Sequence, residues 1–176
     1  MRIIGGTLKG KAVCPPASYK ARPTTDFARE GLFNVLGSEY EFEDLKVLDL
    51  FGGTGAIAFE FASRGASRVY SVEMSRENAT FIKREAERLG LRNVTMVRDN
   101  VFDFLPLCRE KFDIVFADPP YALEGLETLP DRVFDSGILH PERYFILEHG
   151  SSHSFTSHPR FVKEKVYGRV HFSFFE

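Results

Sequence analysis

The chain has 176 residues, 43% of them hydrophobic and 27% charged, with a formal net charge of −2. That length fits a single domain with a sizeable core. No apolar run reaches the roughly 20 residues of a membrane helix, and the start, Met1 to Gly6, does not read as a signal peptide. Cys14 and Cys108 stand alone, outside any CxxC or Cys/His cluster, which points to a reducing cytoplasm and away from a disulfide scaffold.

The charge is unevenly spread. Residues 1–30 carry six basic and two acidic side chains, a balance of +4, and the remainder carries 17 basic and 23 acidic, a balance of −6. A basic arm on an acidic body suits a molecule with one face turned to phosphate, and equally a solvated arm with no partner.

In chain order, Arg2 to Val13 reads as a short hairpin around Gly5-Gly6 and Gly10, closed off by Pro15-Pro16. Arg22-Pro23-Thr24-Thr25-Asp26 opens a helix that Thr25 or Asp26 can cap. Its apolar stripe is Phe27, Leu32, Phe33 and Leu36, and Gly37 is expected to stop it. After Asp44 strands and helices alternate. Val47-Leu48-Asp49-Leu50-Phe51 is a buried strand, followed by a glycine turn and a helix from Ala56 to Ser63. Arg68 to Glu73 is a second strand; Ser75 caps a helix with Ala79, Ile82, Ala86 and Leu89 on one face, ending at Gly90. Val94–Val97, Phe112–Ala117 and Tyr144–Glu148 are three further strands. This alternation implies a parallel sheet covered on both faces. Phe161–Val166 and Arg169–Phe175, joined tightly at Tyr167-Gly168, leave no room for a crossover helix and are expected to form an antiparallel hairpin.

Two segments carry chemistry. In Asp49-Leu50-Phe51-Gly52-Gly53-Thr54-Gly55, glycines let a ligand approach the backbone, and the following helix offers free N–H groups. Glu73, ending the next strand, can accept hydrogen bonds from ribose hydroxyls, and Asp99 is placed to meet an adenine amine. Gly53-Thr54-Gly55-Ala56-Ile57-Ala58 also satisfies the dinucleotide fingerprint, so a dehydrogenase competes at this stage. Asp49 weighs against pyrophosphate, which it would repel, and suits the ammonium of a methionine moiety. The second segment, Asp118-Pro119-Pro120-Tyr121, follows the fourth strand at the edge where ligands bind in open α/β sheets. Prolines fix carbonyl directions in advance. If Asp118 and the Pro119 carbonyl each accept one N–H of an exocyclic amine, its nitrogen can pyramidalise, while Tyr121 stacks on the base. An isolated Asp-Pro-Pro could equally be a rigid turn; the glycine loop and the aromatic neighbour favour chemistry.

These residues together resemble the bacterial guanine-N2 methyltransferases of small-subunit (16S) ribosomal RNA. The resemblance runs through Met1-Arg2-Ile3-Ile4-Gly5-Gly6 with Lys9-Gly10-Lys11, Arg22 to Asp26 with Arg29-Glu30, and Leu48 to Phe51 with its glycine loop. It continues through Ser63 to Ala66, Val72-Glu73, Phe112-Asp113, Asp118 to Tyr121 and Tyr167-Gly168. It implies a Rossmann-like class I methyltransferase with a mostly parallel seven-stranded sheet, a C-terminal antiparallel hairpin and a small N-terminal β-hairpin. The whole chain, 1–176, is expected to be one domain, with 1–20 as a basic extension.

The implied methyl donor is S-adenosylmethionine, held by Asp49, Phe51, Gly52, Gly53, Thr54 and Gly55 from the loop. Glu73, Met74, Asp99 and Asn100 join them from the next two strands, with Asp118 at the catalytic segment. Thr24 and Thr25 fall near the donor's methionine end. Arg2, Lys9, Lys11 and Arg22 are implied RNA contacts, on a monomer acting on ribosomal RNA within an assembling small subunit. Adenine-N6 methylation of DNA or RNA is the alternative chemistry, and a non-catalytic nucleoside-binding assembly factor the alternative class. His140, His149, His153, His158 and His171 show no ligand spacing, so no metal is expected. Phe102, Phe104, Phe172, Phe174 and Phe175 are assigned to packing.

Overall fold

The computed structural model describes residues 1–176. Its helices are α1 (Asp26–Glu39), α2 (Ala56–Ser63), α3 (Arg76–Arg88), α4 (Val101–Leu107) and α5 (Leu129–Asp135). Its strands are β1 (Lys46–Asp49), β2 (Arg68–Val72), β3 (Val94–Val97), β4 (Phe112–Ala117), β5 (Leu139–His149), β6 (Phe161–Tyr167) and β7 (Val170–Phe175). One seven-stranded sheet has the order β3-β2-β1-β4-β5-β7-β6. The first five strands are parallel, and β7 runs antiparallel to both β5 and β6. No helix is long and apolar enough to cross a membrane.

Strand and helix boundaries largely follow the local chemistry read from the sequence; β1 stops at Asp49, short of the expected Phe51, and three other departures stand out. The Thr25 hydroxyl caps α1 by accepting from Ala28 N (3.2 Å), but the helix runs through Gly37 to Glu39. A single helical glycine costs only about 1 kcal/mol, less than the packed Leu32–Phe33–Leu36 face returns. Strand β5 starts five residues early, at Leu139, with a positive φ at Glu142 and a register shift opposite β4. Phe27 does not join the buried stripe: it is 66% exposed.

Two packed layers flank the sheet. Helix α2 is buried on every side, including Glu60, because the N-terminal arm covers the face turned away from the sheet. The arm is tied down by reciprocal backbone bonds between Met1 and Val13 (2.9 Å each way) and one antiparallel bridge, Arg2–Ala12. Ile3 and Val13 enter the main core. Residues 1–13 therefore pack as a layer over α2. The Glu60 carboxylate anchors them, accepting from Ile4 N (3.0 Å) and Gly5 N (2.7 Å). Arg64 and the fully buried Arg29 pair with the same carboxylate at 3.0 and 3.6 Å. Arg29 also donates to Asp26 (2.6 Å) and to the Arg2 carbonyl (3.1 Å).

Candidate active site

A cleft of about 1040 Å³ opens along the carboxyl ends of β1, β2, β4 and β5, closed on one side by residues 19–27. Strands β1, β4 and β5 each deliver a carboxylate there: Asp49, Asp118 and Glu148. The register explains the last two. Ala117 pairs with Leu147, so continuing the ladder by one residue sets Asp118 level with Glu148.

The glycine turn shapes the cleft's second wall. Gly53 (φ +56°) and Gly55 (φ +79°) occupy left-handed conformations. A side chain on Gly52 would come within 2.4 Å of Ser71 Oγ, and one on Gly53 within 2.8 Å of the Tyr19 hydroxyl. Glu73 holds this loop with both oxygens, accepting from Gly53 N (2.7 Å) and Ser75 N (2.8 Å). Each oxygen keeps a second lone pair for ribose-type hydroxyls. Asn100 caps α4 by accepting from Phe102 N (2.9 Å), and Asp99 accepts from Asn100 N (2.8 Å). The exposed Met74 and half-buried Phe102 offer apolar surface beside them.

Of the residues expected at a donor site, all but Gly55 line the cleft. Gly55 instead makes the turn itself, where a side chain would strike the Phe59 ring at 2.6 Å. The Thr24 hydroxyl is committed to Glu148 Oε2 (2.7 Å), so it fixes an acid and is not free for a ligand carboxylate. Arg22 lines the cleft mouth; Arg2, Lys9 and Lys11 lie outside it. The Arg2 guanidinium is bound to Asp26 at 3.1 Å, whereas Lys9 and Lys11 stand exposed.

Sequence reasoning misses Glu148, Tyr19, Phe102 and the mouth residues Phe27, Tyr167 and Arg169 as cleft residues. A carboxylate closing the apolar run Tyr144 to Leu147 is a usable signal, since Asp49 likewise ends β1 and Asp118 directly follows β4. Tyr19 lies in a stretch with no periodicity and leaves no such mark.

The cleft floor is strongly electronegative. Asp49 is 1% exposed, and its Oδ1 has no hydrogen-bond partner. Burial, then Asp118 and Glu73, push its carboxyl up to about 8. Burial raises Asp118 to about 7 against the opposing pull of Thr24. Glu148 is pushed well above the usual carboxylate range by burial and by Asp118. Tyr19, facing all four acids, rises to about 12 through burial and their charge. An orphaned buried carboxylate oxygen among like charges calls for a cationic or proton-donating ligand.

These carboxyls keep protons in the folded protein at pH values where the unfolded chain, with aspartates near ~3.9, has released them. The folded state binds more protons between about pH 4 and 8, so stability falls as pH rises through that window. A cation seated among the acids removes the penalty. The rise in Tm on ligand binding should be larger at about pH 8.5 than at about pH 6. A thermal-shift series that is flat or inverted with pH would contradict this charge assignment.

Comparisons with known proteins place the family and the fold. The model of a family described as conserved hypothetical protein 95 matches residues 1–176. Ribosomal RNA small subunit methyltransferase D of Escherichia coli K12 is 32% identical over 179 residues, covering 100% of this chain and 89% of its own length. The solved structure of a hypothetical protein from Thermus thermophilus superposes with a TM-score of 0.89 at 32% identity, over 100% of this chain and 99% of that one. A SAM-dependent methyltransferase from Agrobacterium tumefaciens shares the fold, with a TM-score of 0.63 at 22% identity over 84% and 60% of the two chains.

Proposed function

This chain belongs to the conserved hypothetical protein 95 family, and on that premise we propose that it methylates N2 of one guanine in small-subunit ribosomal RNA, using S-adenosylmethionine. The observation that carries the reading is Asp118 on the cleft floor, with Tyr121 beside it 56% exposed and ready to stack on a base. The name of the Escherichia coli relative supports small-subunit ribosomal RNA as the substrate class. The choice of guanine N2 rests on the resemblance of Arg22 to Asp26 and the N-terminal arm.

The cleft's residues fit the donor. Asp49, with its unpartnered oxygen, suits an ammonium or sulfonium charge, and Glu73 suits ribose hydroxyls. Met74 and Phe102 would hold an adenine between apolar surfaces, next to Asp99. When bound, S-adenosylmethionine supplies a methyl group already activated on sulfur, so the protein's task is positioning and electrostatics. Asp118 and the Pro119 carbonyl accept the two N–H groups of the target amine and turn its lone pair toward the methyl. Burial holds both the Asp118 and the Glu148 carboxyl above the usual carboxylate range, and either can take up the proton the amine loses. Thr24 holds Glu148 in place for this.

The flipped base enters between Tyr121 and the mouth residues Phe27 and Tyr167, whose rings meet edge to face at 5.6 Å. Exposed Arg22 and Arg169 flank that mouth, and Lys9 and Lys11 add positive charge on the arm. They can meet phosphates on either side of the target. The acidic remainder of the chain disfavours naked RNA, which fits a substrate partly covered by ribosomal proteins; the proposed enzyme is a monomer acting in the cytoplasm.

The decisive experiment methylates small ribosomal subunits and naked 16S RNA with labelled donor, then digests the product to nucleosides. N2-methylguanosine from subunits is expected. N6-methyladenosine would move the chemistry to the alternative base, and donor binding with no transfer to either RNA would indicate a non-catalytic binder.

A further inference from the structure

Histidines with no ligand spacing in sequence meet in the fold. His149 ends β5, His171 lies opposite it on β7, and Glu164 lies on the edge strand β6. His149 Nε2, His171 Nδ1 and a Glu164 oxygen all lie within 4.8 Å of one another, on the sheet face that carries Leu147, Phe155 and Phe175. We propose that these three side chains form a binding site for a divalent transition-metal ion of the zinc type, bracing the antiparallel edge of the sheet.

The geometry suits such an ion. A tetrahedral centre with bonds of about 2.0–2.1 Å sets its ligand atoms roughly 3.3–3.4 Å apart. Glu164 Oε1 is 3.2 Å from His171 Nδ1 and 3.6 Å from His149 Nε2. The tautomer of His149 is also determined. Its Nδ1 lies 2.8 Å from the Gly150 carbonyl, which can only accept, so Nδ1 carries the proton and Nε2 presents a lone pair. A ring N–H given to a backbone carbonyl is the usual outer support of a metal-bound histidine.

His171 Nδ1 is buried and makes no hydrogen bond, being poorly aligned with Glu164. The ring of His149 is fully buried. Glu164 on the edge strand β6 and His171 on the adjoining β7 remain partly open, which gives the ion a way in. The Ser173 hydroxyl, 2.8 Å from His149 Nε2, has to turn its proton away when the ion enters. Two imidazoles and one carboxylate leave a fourth position for water. The site also abuts the catalytic end of the sheet: His149 follows Glu148, and Gly150 sits against Tyr121 (3.8 Å from its Cβ position).

The test titrates full-length protein, stripped with a chelator, with Zn²⁺ and separately with Co²⁺. One ion per chain is expected, with the visible d–d absorption of four-coordinate Co²⁺ and a higher Tm. Glu164→Gln, on the edge strand β6, and His171→Ala, on the adjoining β7, both partly accessible, should keep the native circular dichroism, lose the Co²⁺ spectrum and weaken Zn²⁺ binding at least ~10-fold. Absence of stoichiometric binding to the wild type would overturn the proposal. So would binding that both variants retain in full, since the ion would then sit elsewhere.

Discussion

Asp118→Ala is expected to lower methyl transfer by on the order of 10²–10⁴-fold, while S-adenosylhomocysteine still binds. The loss falls on turnover because Asp118 is read as gripping the amine, a contact that gains most as the nitrogen pyramidalises in the transition state. Donor binding survives because Asp49, Glu73 and the glycine loop are untouched. Removing Asp118 also deletes the charge that raises both Asp49 and Glu148, so both should titrate lower in the variant. Asp118→Asn is a useful companion: it keeps one acceptor but turns an NH2 group toward the amine or toward Glu148. Single-turnover rates with calorimetry on the same preparations separate the two effects. A variant within about tenfold of wild type would remove Asp118 from the chemistry.

The second large effect is on stability. Glu60→Ala should cost about 3–5 kcal/mol, the usual loss when one partner of a buried ion pair is deleted. The Ile4 and Gly5 amides and the two arginines lose their acceptor together. Arg29 is left most exposed to this, because it is 1% accessible and its Nε already lacks a partner. With total stabilities of roughly 5–15 kcal/mol, that loss should lower Tm by on the order of 10 °C and free the arm to proteases within residues 5–10. Glu60→Gln retains one acceptor oxygen and should cost less. If Glu60→Ala melted like the wild type, the arm would be held by its other contacts, the buried Ile3 and Val13 and the hydrogen bonds to Ser63.

These two positions differ in how far the sequence announces them. Asp118 stands in a motif that directly follows an apolar strand, and that spacing alone puts it at the carboxyl edge of the sheet. Glu60 stands unremarked in an apolar helix, and only the tertiary fold shows why a charge is tolerated there. The same divide runs through the rest of the molecule. The strand succession and the terminal hairpin are legible because period-2 patterns and turn residues are local signals. Phe27 is misplaced because an apolar residue at the right helical spacing looks the same whether it meets a core or a ligand mouth. Glu148 carries a local signal, a carboxylate closing an apolar strand, but the cluster His149–Glu164–His171 depends on which strands become neighbours, and nothing within any one strand encodes that.

The place of β7 has a consequence for how the molecule assembles. It lies between β5 and β6, so residues 170–175 complete the hydrogen-bonding of a strand that precedes them by more than twenty residues. Until they arrive, β5 presents a bare, apolar ladder of Phe145, Ile146 and Leu147. Pairings this distant in sequence are slow to form, and a waiting edge of that composition invites mispairing with other chains. Closing the sheet therefore waits on its last segment, and a lesion in Phe172 or Phe174 is expected to appear first as aggregation during synthesis, before any catalytic defect could be measured.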